Sequence, residues 1–230
     1  VDQKRELIDK ALKEGRTTLS EHESKKFLNA YGIPVTREIL VHEHGEFMKG
    51  ISEIGYPLVI KGCSSTLAHK TEKGLVRVDI RNDREANAAF EDIVARMNDS
   101  EKAILVQELI KGSRELVVGM TRDDQFGPCV MFGLGGIFTE VLRDISFRVA
   151  PIEKRDAMQM TREIKAHKIL DGIRGMPPAD MDKLCDILIT VGRIGMENES
   201  IKEIDINPLI LSGSMPIAVD ALVVLNPPRE

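Results

Sequence analysis

The segment Glu203-Ile204-Asp205-Ile206-Asn207-Pro208-Leu209 constrains the fold of this chain more than any other. Apolar and polar residues alternate along it with a period of two, the pattern of a strand with one buried face and not of a helix. Residues i and i+2 of a strand share a face, so Asp205 and Asn207 are expected to project together. Pro208 lacks a backbone N–H and is expected to end ordinary strand pairing. A carboxylate and an amide oxygen side by side at a rigid strand end suit Mg²⁺, which takes one or two protein oxygens and keeps waters or phosphates. The pair therefore points to a protein that handles a nucleotide triphosphate.

A second apolar strand, Pro216–Val224, contains Asp220 and follows the turn Ser212-Gly213-Ser214. If the two strands are antiparallel neighbours, Asp220 lies opposite the 205–207 pair. Carboxylates inside apolar strands are costly to bury without a compensating charge. Asp205, Asn207 and Asp220 are therefore the candidate metal ligands, against the plainer reading of strand-end residues facing water.

The rest of the chain alternates unevenly between helix and strand patterns. Ser20 and Glu23 form a capping-box pair before a helix carrying Phe27, Leu28 and Tyr31, which Gly32 and Pro34 terminate. Strands are expected over Val35–His42, Leu58–Lys61, Leu75–Ile80, Ala103–Ile110, Arg114–Thr121, Pro128–Phe132 and Ile201–Ile206. Asn82 and Glu85 start another helix, and two more are expected near Glu153–His167 and Asp180–Gly195. Helix, strands and helix followed by a strand-rich block with inserted helices is an α+β arrangement in two lobes, not a regular βαβ alternation. The expected boundaries are 20–108 for an N-terminal lobe and 109–230 for a C-terminal one, with a helix in 1–19 packing on the latter.

Composition excludes several functions. A net charge of −5 with both signs interspersed leaves no nucleic-acid footprint, and the absence of Trp with only two Tyr removes stacking platforms. No apolar run approaches the ~20 residues of a membrane span. The N-terminal residues lack the apolar core of a signal peptide. Cys63, Cys129 and Cys185 are odd in number and widely spaced, which argues against a disulfide framework or zinc site and for a cytoplasmic setting.

Four further features carry chemistry in combination. Lys61 ends the buried run Leu58–Ile60, where a compact cation suits phosphate. The loop from Ser64 to Gly74 holds hydroxyls, His69 and Lys70, and could cradle phosphates, although it lacks the Walker spacing. The strand around Glu108, Leu109 and Ile110 could offer backbone groups to an adenine edge, with Glu115 accepting from ribose hydroxyls. Gly133-Leu134-Gly135-Gly136 follows a strand, but Phe138 stands where a dinucleotide fingerprint needs its third glycine. Its glycines fit close backbone approach to a ligand or partner, or simply a tight turn.

Together these segments resemble the ATP-grasp domain of the NDP-forming acyl-CoA synthetases, in particular their β subunits. The resemblance rests on Leu58–Lys61, Ala68–Gly74, Val106–Glu108, Arg114–Gly119, Phe126–Pro128, Met131–Val141, Phe147–Pro151 and Glu203–Leu209, in the family order and over nearly the whole chain. Lys73 replaces the first of two glycines often found near position 74. The resemblance implies an ATP-grasp fold with ATP between two lobes. It implies that Lys61 and Lys70 bind the nucleotide, that the backbone of Glu108, Leu109 and Ile110 holds adenine, and that Glu115 faces the ribose. It further implies that Asn207 and Asp220 ligate Mg²⁺ with Asp205 beside them, and that His69 is a phosphohistidine relaying a phosphoryl group between a partner's histidine and ATP/ADP. A neutral imidazole is a competent nucleophile at pH 7. The chain carries no CoA-binding Rossmann pattern, so the resemblance makes it half of an ADP-forming acid–CoA ligase. A CoA-binding α subunit, separate or fused, would complete a hetero-oligomer. A free-standing ATP-grasp carboxylate ligase with an acyl-phosphate intermediate and a non-catalytic nucleotide-binding module are the competing expectations.

Overall fold

A computed structural model describes residues 3–64, 74–97, 102–136 and 144–227. The chain divides into two compact units. The smaller comprises Ser20–His22 and Thr36–Ile110; the larger comprises Val1–Leu19, Glu23–Val35 and Lys111–Glu230. The difference from the 20–108 and 109–230 expectation lies mainly in residues 23–35. Phe27, Leu28 and Ile33, each at most 1% exposed, join the core of the larger unit.

In the smaller unit, strands β1 (Glu38–Val41), β2 (Leu58–Cys63), β3 (Val76–Ile80) and β4 (Ala103–Glu108) form an antiparallel sheet in the order β1-β4-β2-β3. Leu58 and Ile60 of β2 pack with Phe47 and Ile51 of a helix over His44–Ile54 and with Ile93 of a helix over Asp83–Arg96. Asn82 caps the latter helix by accepting from Glu85 N at 3.0 Å, as its capping pattern predicts. Alternation then places Val59, Lys61 and Cys63 on the opposite face. Lys61 thus lies inside β2 and is only 4% exposed, rather than emerging at a strand end. The strands expected over Val35–His42 and Ala103–Ile110 are shorter, because β1 stops at Val41 and β4 at Glu108.

The larger unit is built on a second antiparallel sheet. Its strands are β5 (Glu115–Asp123), β6 (Gly127–Leu134), β7 (Ile145–Val149), β8 (Ile201–Ser212), β9 (Met215–Ala218) and β10 (Ala221–Leu225). The order is β10-β8-β5-β6-β7, with β9 also pairing β8. Helices over Gln3–Lys13, Lys154–Glu163 and Met181–Glu197 and the body of the helix over Glu21–Ala30 contribute to one continuous core with this sheet. Ile8 and Ala11 bring the first of these into that core. Leu184, Ile187, Leu188, Val191 and Ile194 of the helix over Met181–Glu197 are all at most 1% exposed, the stripe its sequence predicts. Gly195 lets it approach β6 closely, since a Cβ there would stand 2.8 Å from that of Pro128.

Three expected elements are revised. The helix expected over Glu153–His167 ends at Glu163 and is followed by a 3₁₀ turn over His167–Leu170. The buried Asp144 carboxylate accepts from Lys165 N and Ala166 N, at 2.7 and 2.8 Å, and takes up backbone donors at this break. The strand Ile201–Ile206 does not end before Pro208 but continues to Ser212. The strand Pro216–Val224 is instead two strands, interrupted at Val219–Asp220.

Candidate functional site

The site grows from the two irregularities just described, because they lie side by side. Along β8, Val118 of β5 pairs with Ile206 and Leu116 pairs with Leu209. Asn207 and Pro208 together therefore oppose Val117 alone, which is a β-bulge. Pro208, without an N–H, sits at the one place where the ladder is already broken, so the strand survives it. The bulge also resets the alternation. Ile204 and Ile206 face the core before it and Leu209 after it, while Asp205, Asn207 and Pro208 are left partly exposed.

On the other side of β8, Ile206 pairs with Ala221 of β10 and Leu209 with Ala218 of β9. The corner Val219–Asp220 thus lies beside Asn207–Pro208. Asn207 N donates to Asp220 O at 3.2 Å, and Val219 N donates to Pro208 O at 3.0 Å. Asp220 is not inside an apolar strand, as the sequence suggested, but at a corner fixed to Asn207 by the backbone.

β5 and β6 bring two more groups to this end of the sheet. Gly135 N donates to Glu115 O at 2.9 Å, and Gly136 N points at Asn207 Oδ1 over 3.5 Å. A Cβ at Gly135 would stand 2.6 Å from Leu116 O, and one at Gly136, whose φ is +64°, would run into Glu115 Oε2. Gly135 is therefore required by close approach to the backbone of β5, and Gly136 by its left-handed backbone; the approach to a ligand or partner that the sequence suggested is a different use of the glycines. Arg114, 3% exposed, sits just before Glu115. Its guanidinium donates to the carbonyls of Ile169, Asp171, Pro177 and Gly213 over 2.6 to 3.3 Å.

Burial pushes the Asp205 carboxyl up to about 6, and the charges of Glu203 and Asp220 push in the same direction. Asp205 and Asn207 on β8 and Asp220 at the neighbouring corner carry only oxygen donors of the kind that suit a divalent cation, and the negative charge acting on Asp205 is what such a cation would offset. The residues present therefore fit Mg²⁺. Among the described residues, no group of three or more His, Cys, Asp or Glu side chains is arranged to hold a metal ion.

The smaller unit holds the other candidates. Lys61 Nζ donates to Glu21 Oε1 at 2.6 Å, with side-chain exposures of 6% and 1%. The Glu108 carboxylate is held by Arg37, through its backbone N at 2.8 Å and its Nε at 3.0 Å. Leu109 N donates weakly to Pro57 O at 3.4 Å, and Ile110 follows outside the strand. His69 and Lys70 lie outside the described residues. Sequence reasoning assigned no role to Glu21, Arg37 or Arg114. A signal for Glu21 was present, since Glu21, Ser24, Lys25 and Leu28 are spaced as one helix face.

Cys63, Cys129 and Cys185 form no disulfide among the described residues, and no described helix is long and apolar enough to cross a membrane.

The model of an ATP-grasp domain matches residues 10–225. The chain is 46% identical over 226 residues to the β subunit of the ADP-forming acetate–CoA ligase I of Pyrococcus furiosus, covering 96% of this chain and 97% of that one. It is 39% identical over 225 residues to the ADP-forming acetate–CoA ligase I of Archaeoglobus fulgidus, where the match covers 96% of this chain and 33% of that protein. Among solved structures, it superposes with a TM-score of 0.86 and 44% identity on the dinucleotide-forming acetyl-coenzyme A synthetase 1 of Ca. Korarchaeum cryptofilum, covering 97% and 100% of the two chains. That protein is in complex with coenzyme A and Mg-AMPPCP, with its phosphohistidine segment pointing towards the nucleotide-binding site. A match over nearly its whole length, to a separate β subunit and to part of a longer ligase alike, shows that this chain belongs to the ATP-grasp family and, within it, to the β subunits of the ADP-forming acetate–CoA ligases.

Proposed function

We propose that this chain is the nucleotide-binding, phosphotransfer subunit of an ADP-forming acyl-CoA synthetase, acting on acetate or a similar small acid. The net reaction is acid + CoA + ATP ⇌ acyl-CoA + ADP + phosphate. The observation that carries the reading is the gathering of Glu115, Gly136, Asn207 and Asp220 at one end of the six-stranded sheet. An amide oxygen, carboxylates and a close-approach glycine loop on one rigid corner suit a metal-bound polyphosphate.

Asn207 and Asp220 hold Mg²⁺ in this reading, with Asp205 beside them. Mg²⁺ supplies neutralisation of the phosphate charge when bound, the main requirement of phosphoryl transfer along with positioning. Lys61 and Lys70 bind phosphate, Glu115 accepts from the ribose hydroxyls, and the backbone of Glu108–Ile110 receives adenine. The Glu108 side chain is engaged by Arg37, so that segment contributes through its main chain. His69 relays the phosphoryl group. Its imidazole nitrogen attacks the phosphorus of a phosphohistidine on a CoA-binding companion, releasing that histidine, and the phosphoryl group then passes to ADP; the reverse sequence consumes ATP. The companion is a separate α subunit or a fused domain, and the assembly is a cytoplasmic hetero-oligomer.

The test combines the chain with its companion subunit and radiolabelled ATP. Acid-labile phosphate is expected on His69, with acyl-CoA formed only when both subunits are present. A His69→Ala chain that still phosphorylates the companion at the normal rate would remove the relay. Formation of an acid-stable amide by the chain alone, from ATP, an acid and an amine, would instead favour a free-standing ligase.

A further inference from the structure

The buried stripe of the helix over Glu21–Ala30 opens with three polar residues where an ordinary core helix would be apolar, and turns apolar only at Phe27 and Leu28. Glu21, Ser24 and Lys25 are 3%, 0% and 1% exposed. They are spaced i, i+3, i+4, so they share one face. Each has a defined contact. Ser24 Oγ accepts from Val223 N at 3.1 Å, Lys25 Nζ donates to Val219 O at 3.3 Å, and Glu21 receives Lys61 Nζ at 2.6 Å. A carboxylate and an ammonium buried this deeply carry a desolvation cost that tertiary packing alone does not require, and apolar residues of similar volume are often at least as stable. Such a pair suggests a use beyond stability.

We propose that Glu21 is a positioning residue for nucleotide binding that acts through Lys61. The inference rests on the reading of Lys61 as a phosphate ligand. A lysine stem has four rotatable bonds, and its ammonium is strongly hydrated and readily loses its proton when buried. Glu21 addresses both problems. Its carboxylate favours the charged ammonium, and one short hydrogen bond fixes Nζ on the face of β2 that carries Val59 and Cys63, away from the helix-packed face. Glu21 itself is set at the first turn of its helix, where the N-terminal dipole favours a carboxylate.

A double-mutant cycle on the full chain tests this, read by calorimetric titration with Mg–ATP. The variants are Glu21→Gln, Lys61→Met and the two together. Glu21→Gln keeps an oxygen acceptor and the side-chain volume but removes the charge. It is expected to weaken Mg–ATP about tenfold, corresponding to about 1.4 kcal/mol. Lys61→Met should weaken it at least as much, and the double variant should match Lys61→Met alone, because Glu21 has nothing left to position. Glu21→Asp should recover part of the affinity. A purely structural Glu21 would give losses that add in the double variant, and that result would overturn the inference, as would unchanged or tighter binding by Glu21→Gln. Should Glu21→Gln fail to fold, Glu21→Asp takes its place in the cycle: a loss of affinity that disappears in the Lys61→Met background is expected, and a loss that persists there overturns the inference. Absence of Mg–ATP binding by the unmutated chain would overturn the proposed function as well, whereas binding with additive losses would overturn only the role of Glu21.

Discussion

The backbone N–H of Asn207 donates to the carbonyl oxygen of Asp220 over 3.2 Å. This bond joins the bulge in β8 to the corner between β9 and β10, and it makes the two proposed metal ligands neighbours through the main chain. Their side chains can then be changed without removing the contact that holds them together, which separates ligation from folding.

Asn207→Ala and Asp220→Ala are therefore expected to keep the fold and lose Mg²⁺-dependent nucleotide binding. Loss of an oxygen ligand or its support typically costs on the order of 10- to 100-fold in metal affinity. The check is calorimetry with Mg–ATP alongside a urea melt. Tight binding by both variants would place the metal elsewhere, and a collapsed melting transition would mean that the side chains carry the corner.

Gly136 combines a φ of +64° with a position where a Cβ would meet Glu115 Oε2. Gly136→Ala should lower stability by about 1–2 kcal/mol through the left-handed backbone alone. It should also displace the Glu115 carboxylate and the N–H aimed at Asn207, so nucleotide affinity is expected to fall more than stability does. Gly127, with a φ of +75° but open space around it, is the control. Its alanine variant should show the backbone cost and leave nucleotide binding intact.

Much of this site was legible because local pattern and local structure agree. Alternation in Glu203–Leu209 placed Asp205 and Asn207 on one partly exposed face, whereas the glycine pair at 135–136 signalled approach to a ligand or partner and the structure shows approach to β5. The consequence of Pro208 was not legible. A proline ends pairing only where its N–H would be needed, and the bulge that removes that need depends on the register with β5. The place of Asp220 was misread for a related reason: a continuous apolar run conceals a corner set by hydrogen bonds to Pro208 and Asn207. The pairing of Lys61 with Glu21 joins residues forty positions apart, so the helix-face spacing that marks Glu21 as buried does not name its partner.

Arg114 shows the same limit on the structural side. It is buried, and its guanidinium serves four carbonyl oxygens, from Ile169, Asp171, Pro177 and Gly213. Removing the side chain strands several buried acceptors, each worth about 1–3 kcal/mol when left unsatisfied. Arg114→Ala is expected to cost about 3 kcal/mol or more. Arg114→Lys should recover only a minor part, because an ammonium cannot reproduce the planar fork. Denaturant unfolding of the three proteins checks the order. Equal stability of the lysine variant and the parent would show that charge, not fork geometry, holds these loops.

The acidic corner should make stability depend on pH in the direction opposite to a salt-bridged carboxylate. Asp205 is raised from 3.8 to about 6 by burial, then by Glu203 and Asp220. At this site the folded chain therefore binds more protons than the unfolded chain between these two values, so the contribution of Asp205 to stability falls as pH rises through that window. Below about pH 4 both states are protonated and the cost vanishes; above about pH 6 it is fully present, on the order of 2–3 kcal/mol. Asp205→Asn should therefore stabilise the metal-free chain at pH 7 and have little effect at pH 4. Saturating Mg²⁺ should flatten the slope of the parent, because a bound cation favours the ionised carboxylate that burial disfavours. Unfolding measured from pH 4 to 7, with and without Mg²⁺, decides the matter. The quantity that isolates this group is the difference between Asp205→Asn and the parent: a difference that does not grow in favour of the variant from pH 4 to 7 without metal would show that Asp205 is stabilised as a carboxylate by the chain itself, and the argument for a divalent cation at this corner would lose its electrostatic basis.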